Sequence, residues 1–187
     1  MTGLVLSAVV GQRSRATEAL QRALRDLAEQ AIRDPMTGLY NRRFLREFLA
    51  RELIRSKRAG IGLAVIMMDL DHFKRVNDSF GHDAGDLVLS EVAAMLKKSI
   101  RGSDMVCRFG GEEFVLVLTD ATSASAVRRC EEIRGAISRL APTYRGNLLG
   151  SPTASFGVAL FPDHAADADG LVNASDAALY EAKYAGR

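Results

Sequence analysis

Asp69 and Asp71 close an apolar run, and Glu112 and Glu113 follow a pair of glycines and lead into another. Carboxylates at the mouth of a buried strand are costly unless a positive charge compensates them, and a hard divalent cation would do so. Either acidic pair alone reads as a solvated strand end. Four carboxylates at the mouths of two apolar strands, with no Cys or His cluster beside them, favour Mg²⁺ or Mn²⁺ over zinc. Successive strand residues face opposite ways, so Glu112 and Glu113 both reach one ion only if the hairpin distorts the pleat. Gly110-Gly111 offers a backbone that a ligand or a second polypeptide can approach closely, although a glycine pair by itself is usually just a turn. Cys107 and Cys130, the only cysteines, lack metal-type spacing and read as reduced core thiols in a reducing cytosol.

These groups need a frame. Ile61 to Met68 is a continuous apolar run bounded by glycine, too short for a lone helix, and reads as a buried strand that empties into Asp69-Leu70-Asp71. Phe73 to Phe80 reads as a short helix ended by Gly81, and Ala84 to Ile100 as a longer one with an apolar face at Leu87, Val88, Val92, Met95 and Leu96. Met105 to Phe109 and Phe114 to Leu118 are strands around the Gly110-Gly111 hairpin. A helix over 122–140, a strand over 153–160 and a final helix over 168–185 follow. Upstream, Leu20, Leu24, Leu27 and Ala31 alternate spacings of four and three. That pattern fits either a two-helix seam or a helix packed on its own domain. Asp34-Pro35 interrupts this helix, Met36-Thr37-Gly38-Leu39 reads as a turn, and Asn41 caps the next helix, through about Lys57. The order of elements fits an α+β, ferredoxin-like, mostly antiparallel sheet with helices on one face and an N-terminal helical stalk.

A length of 187 residues fits one globular domain with a short appendage, here residues 34–187 and an N-terminal segment with a helix over 1–33. A net charge of +2 is too slight to argue for binding long nucleic acid, although clustered Arg and Lys could still meet a small phosphorylated ligand, so the partner is sought locally and not in the overall charge. No run approaches the ~18 apolar residues of a membrane span. Gly3 to Val10 is apolar but short and lacks a basic leader. It fits the end of an upstream domain, a remnant of a longer protein or a packing segment equally well.

The run from Asp69 to Asp86, with Asp-x-Asp-x-Phe-Lys-x-x-Asn-Asp-x-x-Gly-His-x-x-Gly-Asp, strongly resembles the GGDEF family. So do Arg-Phe-Gly-Gly-Glu-Glu-Phe at Arg108 to Phe114, Asp34-Pro-Met-Thr-Gly-Leu-Tyr-Asn-Arg-Arg upstream, and the tail from Tyr180 to Arg187. The resemblance implies a nucleotidyl cyclase or palm-like fold and a cytoplasmic diguanylate cyclase that joins two GTP into cyclic di-GMP. By the same resemblance, Asp69 and Glu112 hold a pair of Mg²⁺ or Mn²⁺ ions with the Leu70 carbonyl, Glu112 is the general base, and Glu113 assists. Glu112 stands where the family name has Asp. Asn77 and Asp86 are the implied guanine readers; a carboxylate accepts both the N1 hydrogen and the 2-amino group of guanine, and adenine offers neither. The backbone around His72 and Phe73, with Lys74, Lys183 and Arg187, is implied to meet the phosphates.

Arg101-Gly-Ser-Asp104 is similar to the family's inhibitory Arg-x-x-Asp site for its own product. The five-residue strand between it and the glycines spans roughly 17 Å at ~3.3 Å per residue, which places this pocket at the far end from the hairpin. A second arginine that the family often adds is replaced here by Glu132, with Arg134 two residues on. The resemblance further implies a homodimer for catalysis and an upstream sensory domain. Two other readings remain: a non-catalytic module that binds GTP or cyclic di-GMP, and a cyclase that uses ATP or makes a mixed dinucleotide.

Overall fold

An aspartate and a proline set where the larger unit starts. Asp34 Oδ1 accepts from the Thr37 amide at 2.9 Å and the Thr37 hydroxyl at 2.6 Å, closing the turn that the Asp-Pro pair begins. In the computed structural model, which describes residues 17, 18, 20–24 and 27–186, residues up to Arg33 and residues from Asp34 on form separate units. The described residues of 17–32 are helical (α1), with Leu20, Leu24 and Leu27 all more than half exposed.

The second unit runs β1 (Tyr40–Asn41), α2 (Arg42–Ala59), β2 (Leu63–Leu70), α3 (Phe73–Phe80), α4 (His82–Ser99), β3 (Met105–Gly110) and β4 (Glu113–Thr119). It continues with α5 (Ser123–Ile137), β5 (Thr143–Tyr144), β6 (Asn147–Leu148), β7 (Ala154–Phe161) and α6 (Ala168–Tyr184). Asn41 caps α2 as expected, its side chain accepting from the Phe44 amide at 3.0 Å. The main sheet has the order β1-β3-β4-β2-β7. All its pairings are antiparallel except the two-residue β1, which lies parallel to β3. β5 and β6 form a separate small hairpin.

One expectation is corrected: helices cover both faces of the sheet, not one. Alternate residues of β2 point to opposite sides. Ala64, Ile66, Met68 and Leu70 join the core under α4 and α5, while Leu63, Val65 and Met67 join a second core with α2 and α6. That is why all eight residues of β2 are buried. Among the described residues no helix is long and apolar enough to cross a membrane.

Candidate active site

The β2 ladder decides which carboxylates meet. Asp69 stands directly across from Glu113 on β4 and from Ser155 on β7. The β3–β4 register slips between Arg108 and Gly110, so the loop is Gly111 and Glu112 while Glu113 already belongs to β4. The two glutamates are therefore not neighbours in one pleat: Glu113 shares a cross-strand position with Asp69, and Glu112 sits in the turn. The turn is tied to β2 through its backbone, the Leu70 amide donating to the Glu112 carbonyl at 3.4 Å.

Asp69 is 8 % exposed. Its Oδ1 takes the Lys183 ammonium at 2.7 Å. Lys183 comes from the last turn of α6, and α6 can lie so close to the sheet because β7 has glycine at 157. A Cβ there would sit 2.1 Å from both the Ser175 carbonyl and the Leu179 amide nitrogen. Burial pushes the Glu113 carboxyl above its ordinary range, and the charges of Asp69, Asp176 and Glu112 add to this against the opposing pull of Lys183. This end of the sheet is short of positive charge. Its candidate donors are carboxylate oxygens and the Leu70 backbone carbonyl, an all-oxygen set that suits a hard divalent cation, and in that respect they fit one. Among the described residues, however, no three acidic or imidazole side chains converge as a ready-made metal cluster. Asp71 is engaged elsewhere: its Oδ1 accepts from the Ser155 hydroxyl at 2.7 Å and its amide donates to the Thr153 carbonyl at 2.9 Å.

His72 adopts a left-handed backbone (φ 55°) and leads directly into α3, whose first residue, Phe73, is buried. The start of that helix offers amide hydrogens suited to phosphate oxygens. Lys74 is exposed beside it. Asn77 is half-buried on α3, and Asp86 is exposed on α4, one residue after Gly85, which faces α3. Gly85 makes the α3–α4 contact possible. A Cβ on it would fall 2.0 Å from Asn77 Oδ1 and 3.0 Å from the Phe73 ring. Gly85→Ala is therefore expected to push Asn77 aside and to weaken by ~10-fold or more any ligand that Asn77 holds, since a displaced hydrogen-bonding group loses its partner. Ligand titration of the variant against wild type checks this, with thermal melting as the control for folding. Arg187 lies outside the described residues.

Arg101 and Asp104 are at the other end. Thr119, at that end of β4, pairs with Leu63, whereas the hairpin end pairs with Asp69. Asp104 is already busy, accepting from the Arg101 amide and the Thr119 amide, each at 3.1 Å. A cavity of about 140 Å³ opens here, lined by Arg101, Asp104, Arg128, Arg129 and Glu132 among others. Glu132 is ion-paired to Arg129 at 3.2 Å, and Arg134 is turned to Glu131 at 2.6 Å.

Sequence reasoning gave no role to Arg108 and Asp34. Arg108 donates from Nε and Nη2 to the Gly111 carbonyl at 3.0 and 2.9 Å, and from Nη1 to Asp34 Oδ1 and Oδ2 at 3.3 and 3.4 Å. It fastens the glycine hairpin to the turn that begins the unit. Burial alone would raise the Asp34 carboxyl, but hydrogen bonds from Thr37 and the Arg108 charge outweigh it and hold the group below its ordinary value. Cys107 and Cys130 are buried and form no disulfide, and burial pushes both thiols up to about 12, so neither is a nucleophile at neutral pH.

Comparison with known proteins gives one family. Residues 31–187 match the family model described as diguanylate cyclase, GGDEF domain. The chain is 43 % identical over 179 residues to the diguanylate cyclase DgcP of Pseudomonas aeruginosa, covering 95 % of this chain and 26 % of that protein. It is 37 % identical over 177 residues to the response regulator PleD of Caulobacter vibrioides, covering 94 % and 39 %. It thus spans well under half the length of either relative. Among solved structures, the coiled coil and GGDEF domain of DgcB from Caulobacter crescentus, in complex with c-di-GMP, superposes with a TM-score of 0.88 at 29 % identity. That match covers 97 % of this chain and 96 % of that one. The diguanylate cyclase SiaD of Pseudomonas aeruginosa, solved with its activator SiaC, gives 0.80 at 40 % identity over 95 % and 69 %.

Proposed function

This chain belongs to the GGDEF family of diguanylate cyclase domains, and on that premise we propose that it condenses two GTP into cyclic di-GMP with release of two pyrophosphates. The observation that carries the reading is Asp69: a nearly buried carboxylate at a strand mouth, facing Glu113 across the ladder and paired with the Lys183 ammonium. Asp69 and Glu112, with the Leu70 carbonyl, are the groups that would hold a pair of Mg²⁺ or Mn²⁺ ions, which supply counter-charge to the triphosphate and acidify the 3′-hydroxyl. The chain's own residues do the rest. The amides around His72 and Phe73, with Lys74, Lys183 and Arg187, orient the phosphates, and Asn77 and Asp86 select guanine. Glu112 accepts the 3′ proton, and Glu113 supports it from the neighbouring strand position.

Each 3′-oxygen bonds to the α-phosphorus of the other nucleotide while the bond to the β-phosphate oxygen breaks, so two attacks release two pyrophosphates. The product is two-fold symmetric, and two copies facing each other supply two matched sites. The exposed Leu20, Leu24 and Leu27 of α1 support a stalk that pairs copies and receives a signal from an upstream sensory domain. This activity belongs in the cytoplasm, where GTP is available. Offered GTP and ATP together, the protein is expected to consume GTP; products made from ATP would overturn the guanine reading.

The cavity at Arg101 and Asp104 supports product inhibition. Arg101 suits bidentate contact with a phosphate or guanine edge. Arg101→Ala is expected to weaken inhibition by cyclic di-GMP about 10-fold or more, as loss of a charge-assisted bidentate contact would, with the initial rate nearly unchanged. Equal inhibition of both proteins would remove the regulatory pocket.

A further inference from the structure

Lys183, implied by the resemblance to meet the phosphates, rests here on Asp69 Oδ1 at 2.7 Å. The Asp69 side chain is 12 % exposed and the Lys183 side chain 30 % exposed, so the carboxylate is fixed in the sheet while the lysine keeps access to solvent. The surroundings explain the pairing. Asp69 lies across from Glu113, and Glu113 feels Asp176 and Glu112 as well. A nearly buried carboxylate in such company needs a counter-ion, and the flexible four-carbon stem of lysine delivers one.

Resting on the cyclase reading above, we propose that Lys183 is the resident counter-ion of Asp69, displaced when a divalent cation and nucleotide load together. An ammonium and a divalent cation repel each other and compete for the same carboxylate oxygen. The triphosphate resolves the conflict, because its oxygens give the displaced ammonium a new partner. One side chain thereby disfavours metal in the nucleotide-free domain and favours it once nucleotide is present, which makes the binding of the two cooperative. Gly157 fixes the distance, since it seats α6 against β7 and brings its last turn within reach of Asp69.

The test is Mn²⁺ binding to the nucleotide-free protein, read from the electron paramagnetic resonance signal of the unbound ion. Lys183→Met, with Lys183→Gln as a second variant, is expected to bind Mn²⁺ about 10-fold more tightly than wild type, as removal of a competing charge requires. In the same variants the affinity for a non-hydrolysable GTP analogue with Mn²⁺ is expected to fall. Opposite changes for metal and nucleotide are not what general damage to the helix would produce. Equal or weaker Mn²⁺ binding by both variants would overturn the proposal, as would a wild-type protein that binds Mn²⁺ equally well with and without the analogue. Asp69→Asn separates the two levels. If it abolishes Mn²⁺ binding while the Lys183 variants behave like wild type, only the counter-ion role fails. If it leaves Mn²⁺ binding intact, the metal assignment itself fails.

Discussion

Asp69→Asn is expected to stop pyrophosphate release from GTP and Mg²⁺, lowering turnover by ~10³-fold or more, the scale seen when one preorganised charge contact is removed from a reacting centre. The substitution keeps the shape of the side chain and removes only its charge. It cannot act by unfolding the domain, because β2 is held by Glu113 on one side and Ser155 on the other through backbone pairing that asparagine preserves. Lys183 loses its partner, but its side chain is 30 % exposed and can turn its ammonium to water. Asparagine also removes one of the charges that crowd Glu113, so the change in stability is expected to be small beside the loss of turnover. Thermal melting and a pyrophosphate assay on the same preparation separate the two effects. Unchanged turnover would refute the role of Asp69.

Arg108→Ala is expected to lower turnover by ~10²-fold, the penalty of misplacing reacting groups by about 1 Å. Arg108 touches no carboxylate of the β2–β4 end; it holds the loop that carries Glu112. Removing it frees the Gly111 carbonyl from two hydrogen bonds and leaves Asp34 with Thr37 alone. Lysine would not replace it, since one ammonium cannot span a carbonyl and a carboxylate as the forked guanidinium does. Stability should change with pH in a defined direction. Asp34 has a lowered folded pKa, so its stabilisation is present above its unfolded value of 3.8 and is lost as pH falls through the folded value. The Thr37 hydrogen bonds lower it more than Arg108 does, so Arg108→Ala removes only the smaller part, and its urea midpoint should fall slightly less than that of wild type on acidification below about pH 4. Parallel pH profiles of the two proteins would show that the pair contributes nothing to acid stability.

Much of the scaffold was legible because its elements carry strong periods or punctuation. β2 is an unbroken apolar run, α4 has an amphipathic stripe, and the ends of α2 and α3 are marked by Asn41 and Gly81. The same β2 run contained the information that was misread. A strand buried at every position must be covered on both faces, so helices on both sides follow from the composition that suggested a strand. The two-residue strands β1, β5 and β6 are too short to show a period. At the site, residue types were readable but pairings were not. Arg108 and Asp34 lie 74 positions apart, and a charged side chain at either place reads as solvated until the fold brings them together. Lys183 likewise becomes the partner of Asp69 only through the seating of α6 on Gly157. The placing of Glu113, and not Glu112, opposite Asp69 depends on a register slip that strand alternation does not reveal.

Two copies of this domain, each holding GTP at the Asp69 end of its sheet, are expected to make one symmetric dinucleotide. The most direct measurement is chromatography of the nucleotides after incubation with GTP and Mg²⁺, with the chain free and with its N-terminal helix fused to a constitutive dimerising coil. Cyclic di-GMP and two equivalents of pyrophosphate, formed at least by the enforced dimer, is the expected result. An enforced dimer that binds cyclic di-GMP tightly yet leaves GTP intact would contradict it and make the domain a sensor of the molecule it was thought to synthesise.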